Sequence, residues 1–231
     1  MTNFTIGIEG LVGAGKTSIC RKMLDIIPNT VLVNGGNIYR SIVYAMMQNG
    51  EKLEMLKAKG LALDIKEMMD LFKIEVRLED KETIVYLDGK KVSEEAIQSK
   101  EASMAVSTVA GSADNKKLFI FAKELINNLK KDYNVIVSGR STMKIYPELD
   151  YHFFVVADLD ERVRRKCIQY EGKESFEEIK ENISRRDELQ KQAGFYEYSD
   201  ITIEVDVTDC KSVEESTKKV MEHIKLPELE V

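Results

Sequence analysis

Cysteine and histidine are scarce in this 231-residue chain, and each scarcity excludes a kind of chemistry. The three cysteines, Cys20, Cys167 and Cys210, are odd in number and show no CxxC spacing. They suit neither a disulfide framework nor a thiolate zinc site, and are expected as thiols in a reducing compartment. The two histidines, His152 and His223, have no companions at ligand spacing, so neither a metal centre nor a histidine-dependent triad is expected. No segment approaches eighteen apolar residues, and "MTNFTIGIEG" has no basic stretch leading into an apolar run. Membrane spanning and secretion are therefore not expected, and a cytoplasmic location is. Positive charge is in deficit as well, with a net charge of -6. A field of that sign repels nucleic acid and acidic membranes, which leaves small anions as partners for any local basic cluster.

What is present is ordinary globular material, 43% apolar and 32% charged, enough for one large domain with an insert or two small ones. "FTIGIEG" is a short apolar strand running into glycines. "KTSICRKMLDII" then places Ile19, Met23, Ile26 and Ile27 on one helical face. Pro28 and Asn29 close that helix, and "TVLVN" is a second strand, so the chain opens as β-loop-α-β in a parallel α/β sheet. Residues 38–72 read as mostly helical, with Ile42, Met46 and Met47 on one face. "KIEVRLEDKETIVYLDGKKV" reads as strands with turns at "EDKE" and "DGKK". Helical pattern resumes over 99–131, and "NVIVSGR" and "HFFVVAD" are core strands. Ser175 with Glu178, and Ser212 with Glu215, are capping boxes, and "ITIEVDV" alternates like an edge strand.

Gly10-Leu-Val-Gly-Ala-Gly15-Lys16-Thr17 fits GxxxxGK[ST] at every fixed position, between a strand and a helix. Glycines let backbone N–H groups turn inward around phosphate oxygens, and the following helix points its positive end at the same charge. Gly10, Gly13, Ala14, Gly15, Lys16, Thr17 and Ser18 are accordingly expected to bind ATP. Lys16 reaches the β- and γ-phosphates, and the Thr17 hydroxyl ligates Mg²⁺. Thr17 is expected to be the sole direct protein ligand of the metal, with Glu9 or Asp158 acting through water. Arg162, Arg164 and Arg165 read as a solvated helix face.

Several stretches resemble the cytidylate (CMP/dCMP) kinases. "GIEGLVGAGKTS" is similar to that family's phosphate loop, with Glu9 where aspartate is usual. "VNGGNIYR" resembles its nucleotide-contact stretch, "YLDGKKVSEE" its inserted β-subdomain, "VSGRSTMKIYPELDYHFFVVAD" its Gly-Arg turn, and "ISRRDE" its lid helix. The resemblance implies the P-loop NTPase fold: an α/β domain over 1–231, with an acceptor-binding insert about 37–107 and a short lid about 168–195. It implies phosphoryl transfer from ATP to a pyrimidine nucleoside monophosphate. Gly36, Tyr39, Arg40, Lys116 and Arg140 would contact the acceptor, and Arg186 would meet the transferring group beside Lys16 and Arg140. The partners would be small-molecule nucleotides, and the chain a monomer.

The sequence departs from that pattern in places. Asn34 and Gly35 replace an aspartate and a serine, Ser138 and Ser141 replace aspartates flanking the Gly-Arg turn, and Gln98 and Lys116 stand at places of arginines. Two alternatives stay open. "IEGLVGAGK" also resembles the opening of deoxynucleoside kinases, although "VNGGNIYR" lacks the acidic base a hydroxyl acceptor needs. A degenerate ATP-binding regulator would also suit the lost acidic residues. A switch GTPase is disfavoured by the missing NKxD-like motif.

Overall fold

The computed structural model describes residues 3–50, 65–93, 96–97, 115–171, 173–196 and 198–225. The chain divides into two compact units, Met1–Leu32 with Tyr133–Val231, and Val33–Asp132.

The first unit is built on a parallel sheet. β1 (Thr5–Gly10) lies between β6 (Asn134–Ser138) and β7 (Tyr151–Val156), and pairs parallel with both. A strand paired on both edges and covered on both faces has no wet side. Every residue of β1 is buried, the polar Thr5 and Glu9 included. β8 (Thr202–Asp206) extends the sheet beyond β7, His152 aligned with Thr202 and Val156 with Asp206. It ends the sheet on that side, and its half-wet pattern explains the alternation in "ITIEVDV". β2 (Thr30–Asn34) lies on the far side of β6 and is fully buried.

α1 (Lys16–Ile26) buries Ile19, Cys20, Met23 and Leu24 against Ile6, Ile8, Phe153 and Val155. Each large aliphatic side chain so buried contributes about 1.5–3 kcal/mol. The expected face is corrected at one position: Ile26 is 44% exposed, while Cys20 and Leu24 face the core. Helical geometry puts Ile19, Cys20, Met23, Leu24 and Ile27 on one stripe, and Ile26 falls outside it. The remaining helices of this unit, other than α8 (Val213–Met221), are α5 (Thr142–Ile145), α6 (Leu159–Gln169) and α7 (Phe176–Gln192). Ser175 and Glu178 form the expected capping box at α7, each side chain accepting from the other's backbone N–H. At α8 only half of the expected box is present. Ser212 Oγ accepts from Glu215 N–H, but the Glu215 carboxylate accepts from Lys211 N–H.

The second unit carries α2 (Gly35–Gln48), α3 (Ile65–Phe72), α4 (Asn115–Lys130) and an antiparallel meander, β3 (Ile74–Glu79), β4 (Glu82–Leu87) and β5 (Lys90–Lys91). Both expected turns are two-residue turns with positive φ throughout, at Asp80–Lys81 and Asp88–Gly89. That backbone twist matches the twist of the flanking strands. Ile42 is buried on α2 but Met47 is 40% exposed, so the expected apolar stripe is narrower than its spacing suggested. Asn34 Oδ1 accepts from Asn37 N–H at 3.1 Å and caps α2, which gives the residue that replaces the family's aspartate a local role. The parts of the expected helices over 51–64 and 99–114 lie outside the described residues. Among the described residues, no helix is long and apolar enough to cross a membrane.

Candidate active site

β1, β6 and β7 run in parallel, so their carboxyl ends meet at one edge, where α/β sheets leave a crevice for ligands. Gly10 ends β1 there with φ 144°, and a Cβ on it would lie 2.1 Å from Val155 O. Only glycine lets the chain turn so close to β7. Leu11 N–H then donates to Val155 O at 3.1 Å, and Gly15 (φ 92°) takes the N-cap place of α1 without a side chain to offer its amides. Thr17 is half-buried in the first turn of α1, Ala14 is buried and Ser18 is exposed.

Lys16 Nζ donates to Gly10 O and Leu11 O, both at 2.7 Å, and so bridges the mouth of its own loop. Lys16 as a residue is half-buried. Burial lowers its pKa to about 7. The positive charges of Arg140 and Arg186 push the same way, and Asp187 opposes them. The structure thus brings together the three cations expected to act on the phosphates, although they come from α1, the turn after β6, and α7. Arg140 is half-buried, its guanidinium 5.6 Å from the centre of the Phe195 ring.

Asp187, next to Arg186 on α7, ties that helix to the glycine loop. Its Oδ1 accepts from Val12 N–H at 3.0 Å and from the Tyr196 hydroxyl at 2.7 Å. Its Oδ2 pairs with Arg162, whose Nη1 also donates to Val12 O at 2.9 Å and whose Nε donates to Ala157 O at 2.8 Å. Burial and the Asp187 charge push the Tyr196 phenol far above its ordinary range. The reading of Arg162, Arg164 and Arg165 as one solvated face is therefore corrected. Arg162 is 6% exposed and braces the loop. Arg165 donates to Val207 O at 2.6 Å and to Glu161. Arg164, the one outward-facing member, is held by Glu161, whose carboxyl the Arg164 hydrogen bond keeps at about 2. Beside them lies a groove of about 390 Å³ lined by Glu161, Arg164, Thr208, Asp209, Cys210 and Lys211.

Glu9 is also corrected. It is 3% exposed and its oxygens are taken by Ser141 N–H, Thr142 N–H and the Thr142 hydroxyl, so it does not face a metal through water. Asp158 is exposed at the N-cap of α6. Gly36, Tyr39 and Arg40 belong to the second unit, in the first two turns of α2, and all three are half-buried. Lys116 stands in the first turn of α4, its side chain outside the described residues, as is Gln98 altogether.

The family model for cytidylate kinase matches residues 6–226. The chain belongs to the cytidylate kinase family. Curated cytidylate kinases from Clostridioides difficile and Halalkalibacterium halodurans are 29% and 25% identical to it, over 98% and 97% of this chain and 100% and 99% of theirs. Among solved structures, TT1252 from Thermus thermophilus overlaps 96% of both chains at 14% identity and a TM-score of 0.49. In this cytidylate kinase family chain, sequence reading missed the Asp187–Val12 and Asp187–Tyr196 contacts and the groove, and misread Arg162. "ISRRDE" did contain Asp187, but its partner Val12 is 175 positions away.

Proposed function

We propose that this chain transfers the γ-phosphoryl group of ATP to CMP or dCMP, giving ADP and the nucleoside diphosphate. The observation that carries the reading is the gathering of Lys16, Arg140 and Arg186 at the glycine loop of a chain whose family match runs from 6 to 226. Phosphoryl transfer passes through a loose transition state whose charge spreads over equatorial oxygens. Fixed cations stabilise that charge without moving a proton. In this reading the amides of Gly13 to Thr17 cradle the ATP phosphates and Lys16 neutralises the β- and γ-oxygens. Arg186 meets the transferring group, while Arg140 meets the acceptor phosphate. The groove by Thr208–Lys211 takes the donor base.

The donor set fits Mg²⁺. Among the described residues no cluster of three His, Cys, Asp or Glu side chains could hold a metal ion. Thr17 offers a hydroxyl, and Mg²⁺ prefers phosphates and retained waters to an all-protein cage. Thr17 would hold the ion, which when bound neutralises charge between the β- and γ-phosphates. A nucleoside acceptor would need a carboxylate base to deprotonate its hydroxyl. Asp187, whose charge acts on Lys16, is committed to Val12, Tyr196 and Arg162, which supports a monophosphate acceptor. The protein works as a cytoplasmic monomer.

The test is a coupled ADP-release assay with CMP, dCMP, UMP, dTMP, AMP and GMP. Preference for CMP or dCMP is expected; a purine preference, or no turnover with any of the six, overturns the reading.

A further inference from the structure

Arg140 sits between two anchors on the strand that leads into the phosphate loop. Gly139 N–H donates to Ile8 O at 3.3 Å, and Ser141 N–H donates to Glu9 Oε2 at 3.0 Å. Thr142 adds its N–H at 2.6 Å and its hydroxyl at 2.8 Å to Glu9 Oε1. His152 Nε2 lies 3.2 Å from that same oxygen, while its Nδ1 is 2.8 Å from Thr202 Oγ1. The cluster is closed to solvent: Glu9 is 3% exposed, and Thr142 and His152 are 0%.

The local geometry explains why the carboxylate is needed. Ser141 is left-handed, φ 54° and ψ 36°, and its own side chain does not cap α5. The first amides of that short helix would otherwise be orphaned in the core. Glu9 reaches across from β1 and satisfies them. Placing a carboxyl group in a fully covered strand is costly unless its oxygens are paired. Here they are paired with the turn that carries Arg140.

We propose that Glu9 is a positioning residue for phosphoryl transfer. By clamping the 139–142 turn to β1, it fixes Arg140 relative to the loop Gly10–Thr17. The donor loop and the acceptor-binding arginine are thereby referenced to one strand. The proposal rests on the reading above, that Arg140 meets the acceptor phosphate. Substrate groups displaced by about 1 Å lose on the order of 10²-fold in rate, which sets the expected size of the effect.

The experiment is a double-mutant cycle on the full chain with Glu9→Gln, Arg140→Ala and the pair. It measures kcat/KM for CMP at saturating ATP, and ATP affinity by calorimetry. Glu9→Gln should lower kcat/KM about 10²-fold and leave ATP affinity within about threefold. Added to Arg140→Ala, it should change kcat/KM by less than about threefold, because its effect passes through that arginine. Additive losses, or ATP affinity falling in step with kcat/KM, would overturn the proposal. If Glu9→Gln does not fold, Glu9→Asp takes its place in the cycle, with the same charge and too short a reach. Arg140→Ala at wild-type kcat/KM overturns the acceptor reading and the catalytic half of this one. Unmoved Ser141 and Thr142 amide resonances in Glu9→Gln overturn the clamp alone.

Discussion

Binding of ATP at pH 8 should draw a proton onto Lys16. Burial, with Arg140 and Arg186 nearby, holds that ammonium at about 7, against an ordinary value of 10.5. At pH 8 a group with that pKa is only about one-eleventh protonated, and at pH 7 about half. A triphosphate placed on the loop is a strong opposite charge and restores the charged form. Proton uptake on binding should therefore be about 0.9 at pH 8, about 0.5 at pH 7 and about 0.1 at pH 6. Calorimetry in buffers of different ionisation enthalpy measures this directly, as the slope of binding enthalpy against buffer enthalpy. Lys16→Met supplies the baseline, because ATP itself titrates in this range. The wild-type minus variant slope should rise with pH as stated, and ATP affinity should fall up to tenfold per pH unit above about 7. The sign for stability is opposite. A lysine whose folded pKa lies below its unfolded value binds fewer protons when folded. Its burial penalty is thus full below about 7 and relieved as pH rises toward 10.5. Equal slopes for wild type and Lys16→Met between pH 7 and 8 would refute the reasoning.

Gly10→Ala should destabilise by more than about 2 kcal/mol in denaturant melts and abolish ATP binding, since φ 144° and the Val155 carbonyl leave no room for a methyl. Wild-type stability would mean the turn is not as tight as described. Asp187→Ala should cost about 3–5 kcal/mol by orphaning the buried Arg162 guanidinium, and adding Arg162→Met should recover much of that loss. A double variant no more stable than Asp187→Ala would contradict the pairing. Ser175→Ala should cost about 1 kcal/mol and lower the melting temperature with kcat unchanged, because the capping box lies on the exposed start of α7. A loss of turnover without a loss of stability would instead place Ser175 in the site.

What could be read from the sequence was whatever local spacing determines. The GxxxxGKT run, the cap at Ser175 and the turns at Asp80–Lys81 and Asp88–Gly89 depend on residues within a few positions of each other. Their backbone geometry follows from sterics and short-range hydrogen bonds. Buried strands such as β2, β6 and β7 were legible for the same reason, through their short apolar runs. Tertiary structure alone decided which charged residues face inward. Arg162, Arg164 and Arg165 lie within one helical turn, and periodicity cannot say that the first meets Val12, 150 positions away, while the second stays at the surface against Glu161. Glu9 looked open to a metal from its place before the glycines. Its partners at 141 and 142 come within reach only when β1 and β6 pair in register. A charge's role depends on what solvates it, and for these residues the solvating groups arrive from elsewhere in the chain.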